Sequence, residues 1–188
     1  IFLNPENYSS EYLFRSFLLF PLQIYFDFSG YIDMALGASI FVGIQLPINF
    51  NKPYLTSSLT DFWRNWHITL SRWFKDYVYI PLGGSKNNKI VTYRNLLITM
   101  SIAGLWHGAS LNFIIWGILN GLILCFEKMF NLHNGRGILR GFINILIIFN
   151  LWIVFRITEM SKFFEYISKL YSSFIDVFNI NNYLIIIF

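Results

Sequence analysis

Between Arg94 and Glu127 the chain carries no Asp, Glu, Lys or Arg. In the middle of that run a histidine stands between two glycines, in Gly104-Leu105-Trp106-His107-Gly108. An uncharged stretch of this length must find an apolar solvent, either a protein interior or a bilayer. A lipid-facing histidine inside it would be expensive, so ionisable residues at membrane depth face a cavity or a partner. The run therefore predicts a polar pocket within the membrane with His107 in it.

Composition decides between interior and bilayer. Of 188 residues, 55% are hydrophobic, 21 are Phe and only 13% are charged. That charged share is about half of what a soluble domain carries. A soluble fold of this size could not bury so much apolar surface, so lipid must cover part of it. The reading is an all-α, polytopic helical membrane protein with re-entrant or interfacial helices. The net charge of +4 comes from basic clusters between apolar runs, which suits the positive-inside rule. Nucleic-acid binding would need a dense basic face, so membrane lipid, and no nucleic acid, is the expected environment. The single Cys125 excludes an internal disulfide and reads as a small buried hydrophobe. The chain starts at Ile1, and its last apolar run, Tyr183–Phe188, is too short to cross a bilayer. The expectation is one partial domain over residues 1–188, cut at both ends, with no internal repeat or linker.

Along the chain, Tyr12 to Leu46 holds two apolar stretches with Asp27, Gly30 and Asp33 near the join. One helix of that length would measure about 51 Å against a hydrocarbon core of about 30 Å. It is expected to kink, tilt strongly or divide, with Pro21, Gly30 and Gly37 as candidate breaks. Leu46–Pro53 reads as an extended loop. Ser58-Leu59-Thr60-Asp61 resembles a capping box with Asp in place of Glu and announces a helix. Leu59, Phe62, Trp63, Trp66, Leu70, Trp73, Phe74 and Tyr77 then recur at spacings of three and four, opposite Asp61, Arg64, Asn65, Arg72, Lys75 and Asp76. This is the pattern of a helix lying in the interface or against a membrane bundle. His67 falls at the border of the two faces, on the side of Trp63, Leu70 and Phe74.

Tyr79–Ser85 reads as a turn. Lys86, Lys89 and Arg94 precede the central run, and Lys128, Arg136 and Arg140 follow it. Two basic flanks predict that both ends are cytoplasmic, with an even number of crossings between them. Asn95–Trp106 alone, about 18 Å as a helix, is too short to span, whereas Ala109–Phe126 nearly suffices. A re-entrant or bent pair turning at Gly104–Gly108 satisfies both constraints, the glycines making room for a tunnel. Gly141–Ile157 is a further membrane helix, Glu159–Val177 an amphipathic surface helix and Asn179–Asn182 a loop.

Three histidines are present. His133 sits in a polar loop, Asn131–Arg136, and reads as solvated. His67 and His107 are set among tryptophans, where loss of water lowers a histidine's pKa and leaves a neutral base. The competing structural reading, an imidazole bonded to a backbone carbonyl, balances the catalytic one for His107 and outweighs it for His67. No His or Cys pair has metal-ligand spacing, so no metal is expected. A Gly-x-Ser-x-Gly elbow is lacking, and Gly83-Gly84-Ser85-Lys86 lacks phosphate-loop spacing. Asp27 and Asp33 differ by about 240° around a helix, so shared acid–base work is disfavoured. They are expected to cap a helix break or to orient a buried network with Tyr25, Tyr31 or a distant partner.

Three stretches carry a resemblance. They are Tyr25-Phe26-Asp27-Phe28-Ser29-Gly30-Tyr31-Ile32-Asp33-Met34-Ala35-Leu36-Gly37, then Asp61-Phe62-Trp63-Arg64-Asn65-Trp66-His67-Ile68-Thr69-Leu70-Ser71 with Asp76–Gly84, then Gly104–Gly108. Together, over Tyr12 to about Arg156, the chain resembles the membrane-bound O-acyltransferase family, in its bacterial alginate and peptidoglycan O-acetyltransferase branch, with teichoic acid D-alanyl transferases related. The resemblance implies a multi-helix enzyme of the bacterial cytoplasmic (inner) membrane with a tunnel through the bilayer. It makes His107 the catalytic residue and His67 the second polar residue of the site. Asp27, Asp33, Trp66, Trp106 and Asn112 are expected in support. No bound cofactor is implied. The acyl donor would be acetyl-CoA or another cytoplasmic acyl thioester, and the acceptor an extracytoplasmic polysaccharide, reached directly or through an extracytoplasmic acetyltransferase partner. The family normally has further helices before the first stretch.

Two other classes compete on residues alone. A transporter or proton pathway also uses intramembrane His and Asp, but would consume no acyl thioester. A scaffold displaying Leu59–Tyr77 to a partner would depend on Arg64, Arg72 and Lys75 more than on either histidine.

Overall fold

The computed structural model describes residues 1–86, 88–132, 135 and 137–178, with side chains through 172. His133, Arg136, the expected loop 179–182 and the run that follows it lie outside the described residues. Every regular element among the described residues is helical.

Helix α1, Ser10–Phe41, is continuous. It passes Pro21, Gly30 and Gly37 without a break, so the expected division does not occur. At 1.5 Å per residue it is about 48 Å long, which leaves tilt or a kink as the way to fit a bilayer. Pro21 removes one backbone donor, but it is buried and α1 packs against α6 and α7. The hydroxyl of Tyr54 donates to the Pro21 carbonyl at 2.6 Å.

The aromatic stripe after Ser58 also departs from expectation. It forms two short helices, α2 (Leu59–Asn65) and α3 (Ile68–Phe74), joined at Trp66-His67. A wide π-type turn, Lys75–Tyr79, follows. The expected cap is present, because Ser58 Oγ accepts from the Asp61 amide at 3.1 Å. A second cap comes from far away in sequence. The buried carboxylate of Glu127 accepts from the Leu59 amide, from the Thr60 amide at 2.9 Å and from Thr60 Oγ1 at 2.7 Å. A carboxylate at a helix N-terminus is favoured by the unpaired amides and the helix dipole.

Helices α4 (Lys89–His107) and α5 (Leu111–Met129) form an antiparallel hairpin turning at Gly108-Ala109-Ser110. The turn meets the expected stretch only at its end, since Gly104–His107 still belong to α4 and the chain reverses from Gly108. The limb before it is longer than expected: Asn88 Oδ1 caps the Val91 amide at 2.9 Å, so α4 starts at Lys89 and is about 28 Å long. The motif glycine Gly104 does not open a tunnel. A Cβ there would run into the Phe113 carbonyl, and one at Gly117 into the Met100 carbonyl. These glycines let the two backbones touch, which is the usual route to tight helix pairs in membranes. Gly108 has φ +155°, and a Cβ there would lie 2.8 Å from the Phe113 ring.

Helix α6 (Ile138–Arg156) packs against α5 and α1. It carries Ile148, Phe149, Trp152 and Ile153 into the core. Helices α5 and α6 are each long and apolar enough to cross a membrane. Helix α7 (Met160–Phe178) is the expected amphipathic segment, lying across α1 and the N-terminal turn Pro5–Asn7. Tyr166 is fully buried there, its hydroxyl bonded to the Leu13 carbonyl at 2.8 Å and to Ser16 Oγ at 2.9 Å.

Candidate functional site

The broken stripe and the hairpin enclose a cavity of about 600 Å³. His67 and His107 both line it. His67 arrives from the junction of α2 and α3, and His107 is the last residue of α4. Trp63, Leu70 and Phe74, the residues that share the side of His67 in the sequence pattern, line the same space.

The side chains nearest His107 are aromatic, while the cavity that it lines also holds charged residues. Its ring stands edge-on to Trp116 (5.4 Å between centroids, 89°) and to Phe155 (5.0 Å, 88°). Trp106 and Phe113 complete the surround. His107 is itself exposed where it lines the cavity. His67 is half-buried, with Phe28 of α1 edge-on at 4.8 Å and 89°. Between the two histidines runs an aromatic wall, from Trp66 to Trp152 (4.9 Å) and from Trp152 to Trp116 (6.2 Å, stacked). Neither imidazole makes a hydrogen bond to another described residue. The structural alternative, a histidine bonded to a backbone carbonyl, is therefore absent at both positions among the described residues. Burial lowers the pKa of His67, which lies outside both candidate spans, below the ordinary histidine value.

The backbone at His67 is unusual. Its φ of 41° and ψ of 57° are left-handed, a conformation that non-glycine residues adopt at a cost. The break sends Trp66 into the core, 4% exposed, while the next residue faces the cavity.

The supporting residues divide. Trp66 lines the cavity. Trp106 is 57% exposed and touches the ring of His107 without lining the cavity. Asn112 is fully buried but also lies off the cavity; its Nδ2 donates to the Phe155 carbonyl at 3.0 Å. It thus holds the end of α6 whose Phe155 abuts His107. Asp27 and Asp33 are exposed on α1 and make no hydrogen bond or ion pair among the described residues. The buried network expected of them has no counterpart there, because α1 does not break and no described element covers that face.

Sequence reasoning missed four features. The cavity is lined by Arg64, Arg72, Lys75 and Lys128 and by no carboxylate. Lys128 had the look of a topogenic flank, yet its Nζ donates to Ser85 Oγ at 2.9 Å and closes the open end of the hairpin. Asn120 Oδ1 fixes the Trp63 indole at 3.1 Å, and Asn49 caps α3 through Thr69. All depend on contacts across the fold, and only the mixed polarity of the asparagines within apolar runs hinted at them.

Comparison with known proteins agrees with the motifs. A sequence model of the membrane-bound O-acyltransferase family (MBOAT) matches residues 8–168. The probable alginate O-acetylase AlgI of Pseudomonas syringae pv. tomato is 44% identical over 142 residues, covering 74% of this chain and 27% of that protein. A peptidoglycan O-acetyltransferase of Helicobacter pylori is 53% identical over 114 residues, covering 61% and 22%. A teichoic acid D-alanyltransferase of Bacillus subtilis is 33% identical over 124 residues, covering 62% and 31%. The chain thus spans about a quarter of the length of the alginate and peptidoglycan relatives it matches.

Proposed function

The chain belongs to the membrane-bound O-acyltransferase family, and from that premise we propose that it forms the histidine-bearing part of an O-acyltransferase. The transferred group is acetyl, the donor a cytoplasmic acyl thioester such as acetyl-CoA, and the acceptor a hydroxyl of an extracytoplasmic polysaccharide such as alginate or peptidoglycan. One observation carries the reading: His67 and His107, from separate motifs, line one cavity with imidazoles that make no hydrogen bond to other described residues.

The chemistry needs a base for the acceptor hydroxyl and donors for the oxyanion. His107 takes the hydroxyl proton as the oxygen attacks the thioester carbonyl carbon. The C–S bond then breaks, and the thiolate leaves with the proton that His107 returns. His67 orients the acceptor or stabilises the developing charge. The cations Arg64, Arg72, Lys75 and Lys128 favour an anionic ligand, as a phosphate-bearing thioester carrier would be. The aromatic wall excludes water from the acyl group and so protects it from hydrolysis. A donor on one side of the membrane and an acceptor on the other fits a site between helices of a multi-pass protein of the bacterial inner membrane. Relay through an extracytoplasmic acetyltransferase is the alternative route to the polymer.

D-alanyl transfer to teichoic acid is the second reading, supported by the Bacillus subtilis relative. The test uses the whole protein carrying this chain in its membrane. Radiolabelled acetyl and D-alanyl thioesters are supplied separately, and ester formed on polymer is counted. Acetyl ester lost in His107→Ala and strongly reduced in His67→Ala supports the reading. D-alanyl ester in place of acetyl selects the alternative, and parent-level ester in His107→Ala removes the assignment.

A further inference from the structure

His67 occupies the position that normally caps a helix, yet its side chain does not cap α3. An N-cap side chain usually accepts from the amide two or three residues on. Here that acceptor comes from the loop after α1. Asn49 Oδ1 accepts from the Thr69 amide at 3.2 Å and from Thr69 Oγ1 at 2.7 Å. The Asn49 carbonyl also accepts from the Ile68 amide at 3.0 Å, and the Asn51 amide donates to the Asn65 carbonyl at 3.0 Å. Residues 49–51 therefore bridge the end of α2 and the start of α3, and Asn49 itself is 9% exposed.

The bridge spans the one place in the stripe where the helix breaks. A continuous helix would satisfy the Ile68 and Thr69 amides internally and carry His67 on its regular face. Nothing local forces the break, since residues 59–74 contain neither Gly nor Pro. Opening it leaves those two amides unpaired and puts His67 in a left-handed conformation, both unfavourable. Asn49 satisfies both amides, and by doing so it releases the imidazole from capping.

We infer that Asn49 is the positioning residue of His67: it supplies the cap that the histidine withholds, and so holds the strained turn that points the imidazole into the cavity. This rests on the assignment of His67 to the active site. Asn49 is not among the residues lining the cavity, so it acts at one remove, through the α2–α3 junction that carries His67.

The experiment is a double-mutant cycle in the whole protein in its membrane, with kcat and KM for acyl transfer from thioester. Asn49→Ala is expected to lower kcat about 10- to 100-fold with KM within about twofold, since a misplaced catalytic group costs that much. Asn49→Asp keeps the acceptor oxygens and is expected to recover most of the rate. In a His67→Gln background Asn49→Ala should lower the remaining rate no further, because residues acting as a unit are not additive. An equal loss in both backgrounds, or parent kcat in Asn49→Ala, overturns the inference. Parent kcat in His67→Gln alone instead overturns the assignment of His67 on which it rests. If Asn49→Ala fails to insert, Thr69→Val decides. It loses the hydroxyl half of the contact, and a several-fold fall in kcat at constant KM supports the inference while an unchanged kcat overturns it.

Discussion

Glu127, near the end of α5, accepts hydrogen bonds from both the amide and the hydroxyl of Thr60, in the first turn of α2. The contact ties the helix leading to His67 to the hairpin that carries His107. It is buried at Leu59 and part-buried at Thr60, so its removal leaves three donors without this partner, the Leu59 amide away from water. Each unsatisfied buried donor costs about 1–3 kcal/mol. Glu127→Ala is therefore expected to destabilise the protein by at least about 2 kcal/mol, and Glu127→Gln by less. Thermal unfolding of detergent-solubilised protein measures both, and an unchanged midpoint in the alanine variant would remove the cap from the account.

The glycines of the hairpin make a sharper contrast. A side chain at Gly117 meets the Met100 carbonyl and one at Gly104 meets the Phe113 carbonyl, neither of which can rotate away. Gly104→Leu and Gly117→Leu are expected to pry α4 from α5, displace His107 and abolish activity. Gly37 of α1 has nothing within 4 Å of an added Cβ. Gly37→Ala should be neutral or stabilise the helix by up to about 1 kcal/mol. Protease resistance of the purified variants separates these outcomes.

Acid should act on His67 later than on an ordinary histidine. Burial lowers its pKa, so the neutral form persists below the usual histidine midpoint near pH 6.5. If His67 orients the acceptor hydroxyl as a neutral imidazole, acyl transfer should not be lost through His67 until pH falls below that ordinary midpoint. Loss of rate already above pH 7 on acidification would show that His67 does not titrate in this sense.

Much of this arrangement was legible beforehand, and what was not has a common cause. The Ser58 cap, the aromatic stripe and the bend after His107 follow from local pattern. So does the amphipathic α7, because periodicity and caps act within a few residues. The break at Trp66-His67 is invisible locally, since it is imposed by Asn49 from outside the helix. Helix α1 misled in the opposite direction. Pro21 and its glycines permit a break, but packing against α6 and α7 makes a continuous helix the outcome. The apolar content before Trp106 understated α4, because its first turn is polar and is started by Asn88. Asp27 and Asp33 sat within a recognisable motif, and that motif said nothing of their exposure on α1.

The central claim is that His107 and His67 form one acyl-transfer site. It is tested most directly by acyl transfer from a labelled thioester to polymer, catalysed by membranes holding the whole protein with His107→Ala. General-base removal predicts a fall of about 10²- to 10⁴-fold, with the variant present in the membrane at parent level. Transfer at the parent rate would contradict the account.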